Sequence, residues 1–486
     1  MYAPQGVTGE SSRVVGGRSV SVRIRPARAF FSGRASNGDA RPDNRLALLD
    51  QAFFAGHRAA GQNEVVQCVW VYEHAVDFDG LRRFHHNLGY GLLGRRIERS
   101  PLPFGRCRWV SDPGPSHIDI AECARPRAEL SDWVDERSQL PTDAEWGPSW
   151  HLGVLPLTDG STAVSLVASH YVVDGLGFAV AVADAVLGNA RDLGYPPPRS
   201  RTRLRAVVQD ARQTARDAPQ ATRALVEAAK LARRGRFHIP RSPASRPVAL
   251  SGGDGDDAVV VPGITIYVGL EDWDARANAL GGTSSTLVAG LAAKLAERMG
   301  RRRGGDGAVT VQLPMSDRTE GDTRAIALFL ARVSVDPTRV TTDLREARAA
   351  IKQALRAARE TPGETAQLLW LTPFTPKRMM KRLADGPLAD PDRPVIVSNL
   401  GDLGSLVNRV DGTAAKYAAS RPTRQHATRQ WLERIGGQMY LLTFRIPGMI
   451  AINLVAYQPG AENTKPALRE LAARTLAEFD LTGEID

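Results

Sequence analysis

The residues with the clearest chemical potential form one short run, Ser169-His170-Tyr171-Val172-Val173-Asp174-Gly175, of the form HxxxDG. It follows an apolar strand, predicted over Thr162 to Val167, and precedes an Ala-rich helical segment, Gly177 to Leu187. A histidine at the end of a buried strand can present one ring nitrogen to a channel while the backbone holds the other. The imidazole then stays neutral and basic near pH 7, which makes His170 a candidate general base. Asp174 is expected to point away from substrate and fix the turn through a basic partner. Gly175 is expected to let the backbone bend sharply. A satisfied core histidine beside an ordinary turn is the competing reading of the same residues.

Other patterns carry less. Gly89-Tyr-Gly-Leu-Leu-Gly94 matches GxGxxG, but the residues before it read as helix, whereas a dinucleotide cradle follows a strand. His85 and His86 read as helix-surface residues. There is no GxxxxGK phosphate loop and no GxSxG nucleophile elbow. Cys68, Cys107 and Cys123 lie far apart without a CxxC pair, which argues against a zinc clamp or thiol exchange and fits a reducing cytoplasm.

Positioning such a turn needs a sizeable scaffold, and 486 residues with 43% hydrophobic and 24% charged side chains suit a globular protein of two domains or lobes. Residues 1–44, with Arg13, Arg18, Arg23, Arg25 and Arg28, read as a mobile basic tail in which Ser19 to Arg25 alternates enough to add an edge strand. Residues 45–195 read as a first α/β lobe, with a strand at Val65 to Tyr72, a helix from Asp79 to near Arg99, and strands at Trp150 to Leu155 and Thr162 to Val167. Residues 196–257 read as a helical bridge interrupted at Pro219, followed by a flexible loop. Residues 258–486 form a second lobe, with strands at Gly263 to Leu270, Ala308 to Leu313, Val395 to Val397, Met439 to Phe444 and Ile450 to Tyr457. Its helices are expected after Thr283 and from Asp343 to about Glu360.

The net charge is +10, and Arg201 to Arg236 alone holds ten basic residues against three acidic ones. That bridge reads as a solvated face, or as one that rests on anionic lipid or attracts the phosphates of CoA or a carrier protein. Without aromatic-interleaved basic motifs, nucleic acid is not an expected partner. No segment spans a membrane, since the most apolar stretch, Ala163 to Gly188, is broken by Ser165, Ser169, His170, Asp174 and Asp184.

HxxxDG at about a third of the chain, inside an α/β first lobe, resembles the chloramphenicol-acetyltransferase-like superfamily of thioester-dependent acyltransferases, which includes condensation domains. Pro148-Ser-Trp150-His151, Leu313-Pro-Met-Ser-Asp-Arg318, Val397-Ser-Asn-Leu-Gly401 and the tail from Gly437 to Tyr457 are similar to segments of its bacterial wax ester synthase/diacylglycerol acyltransferase branch. The chain departs from the family at Ser169, where a first histidine often stands. It has Ala325-Ile-Ala-Leu328 in place of a Gly-Asn and Ser284-Ser285 in place of an Asn-Asp helix start, and it lacks the Asp-Phe-Gly-Trp-Gly segment of condensation domains.

The resemblance implies an α/β (α+β) fold of two such lobes, a V-shaped pseudo-dimer with a central channel and His170 where donor and acceptor meet. It also implies catalysis without a permanently bound cofactor or metal. The co-substrate would be acyl-CoA or an acyl carrier phosphopantetheine, and the acceptor an alcohol such as a long-chain alcohol or diacylglycerol, or an amine. Ser398 and Asn399 are the candidates for the oxyanion, with a plain strand-end turn as their other reading. Arg318 is a candidate to anchor Asp174 or a CoA phosphate. The leading expectation is an acyl-CoA O-acyltransferase, cytoplasmic with peripheral membrane or lipid-droplet contact. The alternatives are a free-standing condensation enzyme of secondary metabolism served by an acyl carrier protein, and a non-catalytic scaffold.

Overall fold

A computed structural model describes residues 43–233, 258–360, 367–385 and 390–486. The expected edge strand at Ser19 to Arg25 and the loop over 242–257 lie outside the described residues. The last two residues of the proposed tail do not hang free, because Asn44 Nδ2 donates to the Trp109 carbonyl at 3.0 Å.

The first half contains α1 (Leu48–Ala60), β1 (Asn63–Tyr72), α2 (Phe78–Leu88), β2 (Arg95–Glu98), β3 (Arg108–Ser111), β4 (Asp119–Ile120), α3 (Leu130–Gln139), β5 (Trp150–Pro156), β6 (Thr162–Ser169) and α4 (Gly175–Leu187). The long helix α5 (Arg203–Arg233) follows. The second half contains β7 (Gly263–Gly269), α6 (Leu270–Ala279), α7 (Ser284–Arg298), β8 (Val309–Ser316), β9 (Leu328–Val335), α8 (Arg345–Glu360), α9 (Lys377–Asp385) and β10 (Val395–Asp402). It ends with β11 (Tyr417–Gln425), α10 (Arg429–Arg434), β12 (Gln438–Ile446), β13 (Met449–Tyr457), α11 (Lys465–Glu478) and β14 (Glu484–Ile485).

Two mixed sheets organise the chain. One has the order β11-β1-β6-β5-β4, and the other β14-β7-β13-β12-β10-β8-β9. All eight residues of β6 are buried, as suits a strand covered on both faces, and this explains its unbroken apolar and small composition. The second-half segment does not stay in a separate lobe. Strand β11 pairs antiparallel with β1, Val65 opposite Thr423, and so completes the first sheet. One hydrophobic core accordingly joins both halves, packing Trp70, Trp150 and Phe178 with Ile326, Val407 and Phe444. A second core, around Trp273, Leu291, Val397 and Phe479, lies within the second half.

Two expected helices differ from the structure. The one opening near Asp79 stops at Leu88, because Gly89 caps it and Gly91 adopts φ 64° before Arg95–Glu98 pairs with β3. Helix α5 runs through Pro219 without interruption. Ala215 and Pro219 are both on its exposed face, where water can satisfy the carbonyl that proline leaves unbonded. Among the described residues no helix is long and apolar enough to cross a membrane.

Candidate active site

The HxxxDG turn begins where β6 leaves the sheet. Val65 of β1 faces Ser169, and one step further the His170 amide donates to the Glu64 carbonyl at 2.8 Å. Opposed residues of an antiparallel pair put their side chains on the same face. Ser169 is wholly buried, and its amide donates to the Ser149 carbonyl at 2.8 Å, so it serves as part of the floor.

Asp174 caps helix α4. Its Oδ1 accepts from the Gly177 amide at 2.7 Å. Its Oδ2 accepts from Arg318 Nη2 at 2.9 Å and from the Ala327 amide at 2.8 Å. Arg318 also donates to the carbonyls of Asp322, Arg324 and Ala325, at 3.1, 3.0 and 3.1 Å. Its side chain is 2% exposed, so the guanidinium faces a carboxylate and three backbone oxygens and offers no surface to a phosphate in solution.

The Ala325-Ile326-Ala327 strap is gripped a second time. Asp50 of α1, which is buried, accepts from the amides of Ala325 at 3.0 Å and Ile326 at 2.8 Å. Burial pushes the Asp50 carboxyl up, against the downward pull of those two bonds and of Arg95 and Arg318. Arg95 reaches the turn as well, donating from Nη2 to the Val172 carbonyl at 2.8 Å with its guanidinium 3.9 Å from the Trp109 ring centre. The strap that stands where a Gly-Asn was expected is therefore fastened through backbone hydrogen bonds as well as by the burial of Ala325 and Ile326 in the shared core.

The glycines act differently from expectation. Gly175 starts α4 outside the left-handed region, and a Cβ there would meet Leu400 at an ordinary 3.5 Å. The crowded position is Gly177, where a Cβ would lie 3.0 Å from Arg318 Nη2, Asp174 Oδ1 and Val173 Cγ2.

A charged layer lies against His170. Phe53 of α1 packs tilted against its ring with centroids 5.5 Å apart, and contacts His57 at 4.4 Å. Glu64 Oε1 accepts from Arg424 Nη2 at 2.5 Å, and its other oxygen is 3.8 Å from His57 Nε2. Burial works to raise the Glu64 carboxyl but is outweighed by Arg424, His57 and His170, which hold it down at about 2. Arg424 stacks over Trp431 at 4.6 Å, and the Tyr171 hydroxyl donates to the Gln62 carbonyl at 2.9 Å. His170 Nδ1 is buried with no hydrogen-bond partner among the described residues, so the backbone does not hold it as the sequence reading expected. Sequence reasoning passed over Glu64, Arg424 and Asp50. Glu64 and Arg424 are 360 residues apart, and only the pairing of β1 with β11 makes them neighbours.

Ser398 and Asn399 stand where β10 becomes irregular, between Asn399 and Asp402. Ser398 is half-buried and Asn399 exposed. The Asn399 amide nitrogen donates to Ser285 Oγ at 3.1 Å, and its oxygen accepts from the Gly401 amide at 2.8 Å. Leu400 reaches the start of α4, which brings this strand end to the edge of the His170 turn.

The remaining sequence candidates lie elsewhere. The GxGxxG amides bond within the fold, Gly91 N–H to the Arg191 carbonyl at 2.8 Å and Gly94 N–H to Gly91 at 3.2 Å, which leaves no phosphate cradle. His85 is half-buried with its ring edge-on to Trp150, rather than lying on the helix surface. With His86 and His117 it lines a cavity of about 890 Å³. The half-buried His151 accepts at Nδ1 from Arg137 Nη2 at 2.8 Å, and desolvation together with that cation pulls its imidazole down to about 3.

No protein-family model and no curated protein matches the sequence. Among solved structures, the first condensation domain of the CDA synthetase superposes with a TM-score of 0.51 at 14% identity, covering 92% of this chain and 100% of that one. The first condensation domain of the calcium-dependent antibiotic synthetase, in complex with a substrate analogue, gives 0.52 at 14% identity over 91% and 100%. The chain has the condensation-domain fold. The wax ester synthase/diacylglycerol acyltransferase from Marinobacter aquaeolei VT8 is similar to the same degree, with a TM-score of 0.50 and 15% identity over 90% of this chain and 98% of that one. In a condensation-domain fold of this sequence, the HxxxDG turn is the point where a first-sheet strand, the second-half strap and the end of β10 converge.

Proposed function

We propose that this protein is an acyltransferase that moves an acyl group from a thioester to a hydroxyl or amine acceptor, with His170 as the general base. The observation that carries the reading is a half-exposed histidine on a turn fastened from both halves of the chain, with Nδ1 buried and Nε2 left as its outward nitrogen. With the proton on Nδ1, Nε2 takes the acceptor's proton as the acceptor oxygen or nitrogen attacks the thioester carbonyl. The tetrahedral oxyanion then collapses, the carbon–sulfur bond breaks, and the thiolate receives the proton from Nε2. Glu64, held anionic by Arg424, His57 and His170, keeps a negative charge beside the site. Of the two candidates we take the Ser398 hydroxyl as the oxyanion donor, because Asn399 already gives one N–H to Ser285 and its oxygen to the Gly401 amide.

Acyl-CoA as donor and a lipid alcohol as acceptor make up the first substrate reading. A carrier-bound donor is the second, favoured by the equal similarity to condensation domains and to a wax ester synthase. Both are tested by thiol release from acyl-CoAs of graded length, and from an acyl-loaded carrier protein, with alcohol, diacylglycerol or amine acceptors. His170→Ala is expected to lower acceptor-dependent turnover by about a hundredfold to ten-thousandfold while the fold survives. Full activity in that variant would rule the mechanism out.

A further inference from the structure

The histidine-lined cavity of about 890 Å³ is separate from the candidate active site, since none of its lining residues belongs to the His170 turn, the strap or the end of β10. One wall is a face of α2. At 100° per residue, Phe78, Arg82, His85, His86 and Gly89 fall within an arc of about 100°, next to the buried stripe of Leu81, Phe84 and Leu88. The loop over 111–118 supplies a second wall, and residues 191–195 after α4 supply a third.

Close backbone contacts shape this cavity. Gly89 ends α2 against the loop, where a Cβ would lie 2.6 Å from the Pro113 carbonyl oxygen. Gly114, at φ 80°, rests on the Trp150 indole, which a Cβ would meet at 2.4 Å. The loop is tied down by the Asp112 amide, which donates to the Gly94 carbonyl at 3.0 Å, and by the Ser111 amide, which donates to the Pro196 carbonyl at 2.9 Å.

The lining has an apolar part and a charged part. Phe78, Ile118 and Leu193 line it, and Tyr90 and Ile120 stand 40% and 45% exposed. Large apolar side chains left open in a concave site are what a small ligand covers. Burial, with His117 and His86 nearby, pulls the His85 imidazole down, so that ring is uncharged at neutral pH and adds aromatic surface. Both lining carboxylates are engaged. Asp112 accepts from the Gly114 amide at 3.1 Å and faces Arg96 at 3.7 Å, and Asp192 accepts from the Gly194 amide at 2.8 Å. Arg82, by contrast, pairs with the exposed Asp79 at 2.8 Å, a contact that a ligand can replace at little cost. His86 is one helical turn further on, and the Tyr90 ring meets it edge-on with centroids 5.5 Å apart. A cation, an imidazole N–H and an exposed aromatic ring therefore follow one another along one edge of the cavity.

Among the described residues no three His, Cys, Asp or Glu side chains come together as a metal site, so the histidines do not act as a metal cage. A polyphosphate would find the Gly91 and Gly94 amides bonded within the fold and would meet Asp112 and Asp192. A flat apolar body with a single negative charge suits both parts of the lining. We propose that this cavity binds a small aromatic carboxylate, with its ring on Tyr90 and Phe78 and its carboxylate on Arg82 and His86. The proposal goes beyond the acyltransferase reading and does not depend on it, since binding requires no turnover.

The test is isothermal titration calorimetry of the full chain with 2-naphthoate, the neutral 2-naphthamide and the non-aromatic cyclohexanecarboxylate. 2-Naphthoate is expected to bind with a dissociation constant below about 1 mM, and the other two at least about tenfold more weakly. Arg82→Gln with His86→Gln is expected to weaken 2-naphthoate about tenfold, to the level of the amide. Tyr90→Ala is expected to weaken it about fivefold. All three side chains are exposed, and circular dichroism and thermal melting establish that each variant is folded. His170→Ala is expected to bind like wild type. Absence of 2-naphthoate binding overturns the proposal, and so does unchanged binding in the Arg82/His86 variant. Loss of binding in folded His170→Ala would put the ligand at the catalytic turn and overturn it as well. Adenosine 3′,5′-bisphosphate that binds as tightly and displaces 2-naphthoate would assign the cavity to a nucleotide, which also overturns the proposal.

Discussion

Two arginines from the second half of the chain meet two carboxylates of the first on either side of His170, and the two pairs differ in what surrounds them. Asp174 and Arg318 are 4% and 2% exposed, and both carboxylate oxygens and the guanidinium ends are hydrogen-bonded to the turn and the strap. Glu64 and Arg424 are 14% and 3% exposed, with His57, His170 and Tyr171 around them rather than a ring of backbone partners. A pair whose bonds go to backbone fixes shape. A pair whose neighbours are titratable places fixed charge among side chains that can gain or lose protons. The same kind of contact thus does two jobs, and the partners decide which.

The largest expected effect separates them first. Arg318→Ala leaves the buried Asp174 carboxylate without its cation and frees the strap carbonyls, which should cost about 3–5 kcal/mol in urea unfolding. A cost below about 1 kcal/mol would mean that the pair does not fasten the two halves. Next, Glu64→Gln should lose about 3 kcal/mol at neutral pH, from a carboxyl held at about 2 in the fold against an ordinary value of 4.5. The sign follows from the depressed value. That stability is present above about pH 4.5 and is lost as pH falls toward about 2, so the wild-type unfolding free energy should drop across this window and the Gln variant should lack that component.

The glycines sharpen the comparison at smaller scale. Gly177→Ala should cost about 1–2 kcal/mol, because neither Arg318 nor Asp174 can withdraw from a new Cβ, whereas Gly175→Ala should change stability by less than about 0.5 kcal/mol. Thermal melts of the two variants check this. The smallest effect on stability is expected for Ser398→Ala, within about 0.5 kcal/mol in the same melts, because its side chain belongs to neither pair. Its turnover should nevertheless fall about a hundredfold, which would set an oxyanion donor apart from the two fasteners.

Much of the architecture was legible because it is local. The β-branched run at Val65 to Tyr72, the Thr283 cap of α7 and the alternating residues of β12 and β13 state their structure within a few positions. Strand β11, by contrast, contains Arg421, Pro422 and Arg424 and does not read as a strand. It becomes one because β1 offers an open edge and Glu64 and Gln67 offer partners to its arginines. The strap at 325–327 is silent for the same reason, being three small or aliphatic residues whose role lies in backbone amides that Asp50 and Asp174 receive.

The sequence by itself determined the HxxxDG turn between strand and helix, the alternation that builds two sheets, and the basic character of the bridge, since each depends on the order of neighbouring side chains. Only the tertiary structure decided that Arg318 faces Asp174 and three carbonyls instead of solvent, that Glu64 and Arg424 lie beside His170, and that Gly177 rather than Gly175 is the crowded glycine. Those outcomes depend on distances between residues hundreds of positions apart. Burial turns such distances into strong electrostatic and steric terms that no local pattern encodes.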